Sequence, residues 1–156
     1  MYSDEIQAML SDVDGFVGVF PSNHLPNVGH RPASFVVNTA PIPDKYGGDH
    51  WVAVILKQNS KGEYFDSFGL PPLEHNIADY INKTCSNGYK YSMKMIQGRS
   101  SSLCGLYCVD FIRQRLVHKK GFDAYLAGFN TDFKANDRSV VCRQSWQSFA
   151  PQLLSD

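Results

Sequence analysis

Residues 97–111 read QGRSSSLCGLYCVDF, a polar turn that runs directly into an apolar helix with a cysteine at its first positions. Leu103 to His118 carries Cys104, Tyr107, Cys108, Phe111 and Ile112 at helical spacing, so a helix is predicted there with these residues on one face. A helix start has unpaired N–H groups and a partial positive charge, which favour thiolate over thiol. Cys104 is therefore a candidate nucleophile, and Gly105 after it would let backbone and substrate approach closely. The competing reading is a small, inert core cysteine.

Working outward, Tyr89 to Gln97 alternates as a strand that ends seven positions before Cys104. The Gln97 amide could donate to a developing oxyanion beside the Cys104 backbone N–H, or it could be a surface glutamine. Upstream, HWVAVILK (His50–Lys57) reads as a buried strand. The turn NSKG joins it to EYFDSF (Glu63–Phe68), which predicts a hairpin. His50 opens the first strand after Gly47-Gly48-Asp49, placed as a base facing a cleft or as a structural histidine. Asp66 interrupts an aromatic strand, and a carboxylate there is costly unless paired. Hairpin pairing would bring it to an imidazole near the start of the first strand, where it would fix tautomer and stabilise the imidazolium. A solvated edge carboxylate is the alternative.

The flanks complete an α+β pattern. A helix is expected from Ser3 with Ile6, Met9 and Leu10 on one face, then a strand at Phe16–Phe20, a loop from Ser22 to Pro32 and a strand at Ser34–Asn38. A loop is expected from Pro41 to Asp49, a helix at about Leu73–Lys83 behind Pro71-Pro72, and a last helix from Asp137 or Ser139 bearing Val140, Val141, Trp146, Phe149 and Leu153. The 156 residues, 43% hydrophobic and 19% charged, fit one globular domain spanning 1–156. Fifteen basic residues balance fifteen acidic ones, which argues against a strong field for nucleic acid or an anionic membrane. MYSDEIQAML has no signal-peptide pattern, so a reducing, intracellular setting is expected for Cys85, Cys104, Cys108 and Cys142. Their spacing matches no zinc pattern, and no metal is expected.

The ordered set His50, Asp66, Gln97, Cys104-Gly105 resembles the adenovirus-type cysteine endopeptidases (adenain) and, more distantly, the SUMO-specific proteases of the same clan. VNTAP followed by GGDHWVA, then YFDSFG, then QGRSSSLCGLYCVDF are similar to the family's blocks, in order, over roughly residues 36 to 112. GFVGVFPSNHLP is more loosely similar to proteases of Maverick/Polinton elements and related viruses. The resemblance implies a papain-like, adenain-type fold with a central, mostly antiparallel sheet flanked by helices. It implies a triad of His50, Asp66 and Cys104, with Gln97 in the oxyanion hole and Trp51, Gly48 and Gly105 lining the substrate. It implies a monomeric thiol endopeptidase that needs no cofactor for its chemistry and cleaves after small, glycine-containing motifs. Its substrates would be virion or polyprotein components such as capsid and core precursors, in a host nucleus or virion. Cys85 lies near the position where adenain pairs with an activating peptide. Asp66, where adenoviral enzymes have Glu, follows the SUMO-protease habit, and the balanced charge sits poorly with a DNA cofactor. Deconjugation of ubiquitin-like modifiers, acetyl transfer on the same scaffold and a non-catalytic binding module are the alternatives.

Overall fold

The computed structural model describes residues 1–39 and 50–155, the last ten of these as backbone. The expected loop at 41–49, Gly48 within it, and the side chains of Trp146, Phe149 and Leu153 lie outside the described residues.

In chain order the elements are α1 (Ser3–Leu10), β1 (Phe16–Pro21), β2 (Ala33–Asn38), β3 (Trp51–Lys57), β4 (Lys61–Phe65), α2 (His75–Thr84), β5 (Tyr89–Tyr91), α3 (Cys104–Ile112), a π-helical turn (Arg113–Val117), α4 (Phe122–Ala127) and α5 (Phe133–Ser155). The fold is α+β, with one five-stranded sheet in the order β1-β2-β3-β4-β5. Only the three central strands are antiparallel; β1 pairs β2 and β4 pairs β5 in parallel. The centre of the sheet is antiparallel as expected, and α2 carries the chain across between β4 and β5, as a parallel pair requires.

β3 explains why the sheet sits centrally. Trp51, Ala53 and Ile55 enter a core shared with α1, α3, α4 and α5, while Val52, Val54 and Leu56 enter a second core under α2. A strand covered on both faces needs the unbroken apolar run that WVAVIL supplies. The β3–β4 hairpin forms as expected, with Asn59 and Ser60 both at positive φ in its turn.

α3 is buried along its whole length, not on one face. The sheet covers one side, and α1 and α5 pack on others. Its one charged residue, Asp110, accepts from Arg143 Nε (2.8 Å) and Nη2 (2.7 Å), Gln144 Nε2 (2.9 Å) and the Tyr125 hydroxyl (2.8 Å). That set satisfies the carboxylate and ties α3 to α4 and α5.

Several boundaries differ from expectation for identifiable reasons. α2 begins at His75 because the Glu74 carboxylate caps it, accepting from Asn76 N and Ile77 N. β5 is short, and just past Tyr91 the Ser92 N–H still donates to Tyr64 O (3.1 Å) while its hydroxyl bonds Asp66. α5 starts at Phe133, where Asp132 accepts from Ala135 N (3.1 Å). α4 has no counterpart in the sequence reading.

Candidate active site

The site forms where the ends of β3 and β4 meet the first turn of α3. Continuing the β3–β4 register beyond Ala53↔Phe65 sets His50 opposite Phe68, and the two rings stack with centroids 4.6 Å apart. His50 Nε2 lies 2.8 Å from Asp66 Oδ1, and the same oxygen accepts the Phe68 N–H at 2.8 Å. Asp66 lies one residue beyond β4, in the turn closed by Gly69 N–H donating to Asp66 O. The Ser92 hydroxyl accepts from Asp66 N and donates to Asp66 O, both at 2.8 Å, which replaces the missing strand partner. Gly69 holds φ +78 with a Cβ position only 2.7 Å from the Lys94–Met95 backbone, so no side chain fits there.

Cys104 is hydrogen-bonded to His50. With Nε2 on Asp66, Nδ1 is the nitrogen left for the sulfur. Burial pushes the thiol up, but the His50 hydrogen bond, the Trp51 N–H, the imidazolium charge and the Gly105 N–H together bring it below its ordinary value. Burial pushes His50 down, yet the hydrogen bonds and charges of Asp66 and Cys104 outweigh it and raise the imidazole to about 9. Both directions favour a thiolate–imidazolium pair. Both groups are only slightly open to solvent, with the His50 side chain 21% exposed and Cys104 9%.

The structure therefore brings His50, Asp66 and Cys104 together. Gln97 is fully buried: its Oε1 accepts from the Ser67 hydroxyl (2.5 Å), and its Nε2 donates to Ser101 O (3.0 Å) and Ser101 Oγ (3.2 Å). Its amide is thus engaged with the Gly98–Ser101 turn.

One expectation is corrected: the space that Gly105 leaves is already filled, since a Cβ there would lie 3.1 Å from Met1 Sδ, 3.2 Å from Ile6 and 3.2 Å from Trp51. Trp51 is itself largely buried beside it and contributes its N–H to the sulfur. Cys85 is also corrected. It is 3% exposed in the α2-side core, and burial pushes its thiol up. Gly62 leaves the room its sulfur fills, since a Cβ there would lie 2.4 Å from Sγ. This thiol is not presented to a partner peptide.

Phe68, Ser67 and Ser92 were missed in the sequence as site residues. The first two follow Asp66 directly in YFDSFG, which is the one local signal they carry. Among the described residues, no group of three or more His, Cys, Asp or Glu could hold a metal, and no helix is long and apolar enough to cross a membrane.

The same architecture occurs in ChlaDub1 from Chlamydia trachomatis. That structure superposes with a TM-score of 0.53 at 18% identity, over 80% of this chain and 61% of ChlaDub1. The ASFV pS273R protease gives a TM-score of 0.47 at 24% identity, over 70% of this chain and 44% of the protease. This chain thus spans less than two thirds of either. No family model matches the sequence, and no curated protein does. At this identity the ChlaDub1 likeness is one of fold, and the chemistry has to be argued from the side chains.

Proposed function

We propose that this chain is a thiol endopeptidase of the adenain and SUMO-protease type, acting on protein substrates. The observation that carries the reading is the chain of hydrogen bonds from Asp66 through His50 to Cys104, with the imidazole raised and the thiol lowered. The thiolate attacks the scissile carbonyl carbon, and the negative charge moves to the carbonyl oxygen. Collapse breaks the C–N bond, and the His50 imidazolium gives its proton to the leaving amine. Water, deprotonated by His50, then attacks the thioester and releases the acid and free Cys104. Asp66 keeps Nε2 protonated throughout and stabilises the ring's charge. The oxyanion is held by Gln97 Nε2 and a backbone N–H of the α3 start, with Gln97 exchanging its weaker contact to Ser101 Oγ for the oxyanion.

Cleavage after small, glycine-containing motifs, and polyprotein or virion components as substrates, follow from the sequence resemblance. A peptide activator tethered at Cys85 is not part of this reading. Release of ubiquitin-like modifiers is the second reading, favoured by Asp66 standing where the adenoviral enzymes carry Glu. Incubating the protein with a glycine-rich peptide library and with a folded modifier bearing a Gly-Gly tail extension separates the two. Cleavage of either should vanish in Cys104→Ala while the fold persists by circular dichroism. Cleavage retained in folded Cys104→Ala would remove the proposal.

A further inference from the structure

Ser67 is fully buried and makes three contacts to one short segment. Its carbonyl accepts from Ile96 N (2.9 Å) and Gln97 N (3.1 Å), and its hydroxyl donates to Gln97 Oε1 (2.5 Å). The residue before it is Asp66. One strand end therefore aims a carboxylate at the base and, from the next residue, a hydroxyl at the amide beside the nucleophile turn.

An amide has distinct ends, an acceptor oxygen and a donor nitrogen. The Ser101 carbonyl can only accept, so the end of Gln97 facing it must be nitrogen. The Ser67 hydroxyl holds the opposite end. Together they fix the amide with its N–H groups toward the turn that leads into Cys104.

We infer that Ser67 is a positioning residue for the reaction: its hydroxyl is the pivot that holds Gln97 Oε1 while Nε2 transfers a hydrogen bond from Ser101 Oγ to the oxyanion. A hydroxyl donating to the amide oxygen also polarises the amide and makes its N–H a stronger donor. This rests on the thiol-peptidase reading. Ser67 is fully buried, so its hydroxyl acts through Gln97.

The test is a double-mutant cycle on a cleaved peptide, with kcat and KM separated. Gln97→Ala should lower kcat by about 10²–10³ with KM little changed, as for loss of an oxyanion donor. Ser67→Ala should lower kcat by about 3- to 10-fold, the order of one neutral hydrogen bond, again at constant KM. In the Gln97→Ala background Ser67→Ala should add less than about twofold, because its target is gone. Ser67→Cys keeps a donor, weaker and somewhat larger than the hydroxyl, and should fall between wild type and Ser67→Ala; it also serves if the alanine variant does not fold. A folded Ser67→Ala with wild-type kcat, or a Ser67 loss that adds in full to Gln97→Ala, overturns the inference. Failure of the underlying reading looks different: the wild-type protein would show no Cys104-dependent cleavage at all.

Discussion

Replacing Asp66 by Asn removes one charge while keeping the side chain's shape and an oxygen for the Phe68 N–H. His50 is raised from its ordinary 6.5 to about 9. That corresponds to roughly 3 kcal/mol in favour of the charged ring, against a burial term that opposes it. The favourable part is divided between Asp66 and Cys104. Losing the carboxylate charge should therefore cost the imidazolium about 1–2 kcal/mol, a 5- to 30-fold loss in its population relative to the neutral ring. A weaker cation stabilises the thiolate less, so the Cys104 thiol should move back up toward its ordinary value. The assay is the rate of alkylation at Cys104 against pH, read by peptide mass spectrometry, with exposed Cys142 as internal reference. In wild type the midpoint should lie below 9.0, and Asp66→Asn should shift it upward. Stability gives a second reading with a definite sign. A group raised on folding contributes stability that is complete below its unfolded value and disappears as the pH climbs through its folded value. The stability gap between the two proteins should thus be widest below about 6.5 and close as the pH passes about 9. An unchanged alkylation profile in Asp66→Asn would refute the coupling of Asp66 to Cys104 through His50.

Asp110→Ala should destabilise the fold by about 3–5 kcal/mol, because Arg143 and Tyr125 lose a fully buried ionic partner. Urea unfolding measures it, and a change within about 0.5 kcal/mol would mean the network is dispensable. A small thiol reagent should label Cys142 and Cys104 in the native protein, but Cys85 and Cys108 only on unfolding. Native labelling of Cys85 at the rate of Cys142 would contradict its burial.

The cluster of His50, Asp66 and Cys104 was legible in the sequence because each residue sits at the end of a strongly patterned element. His50 precedes an unbroken apolar strand, Asp66 interrupts an aromatic one, and Cys104 opens an apolar helix. Their hosts could be read locally, and hairpin register did the rest. The supporting residues could not be read that way. Ser92 bonds Asp66 across 26 positions and Ser67 bonds Gln97 across 30, and such pairings leave no periodicity in the chain. Cys85 misled for a related reason: Lys83-Thr84-Cys85-Ser86-Asn87 is polar on paper, but the end of α2 turns this one side chain toward Gly62. Gly105 was assigned to substrate, although the space it frees is taken by Met1, Ile6 and Trp51, two of them about a hundred residues earlier in the chain.

His50 and Asp66 flank the β3–β4 hairpin, and Cys104 opens the helix laid across it. During synthesis His50 and Asp66 emerge from the ribosome well before Cys104, and the hairpin can pair with no sulfur in reach. Until α3 docks onto β3, the Trp51 N–H has no thiol to stabilise and the cysteine has no imidazole. Under the proposed function, the cluster of His50, Asp66 and Cys104 is therefore complete only once α3 has docked on β3.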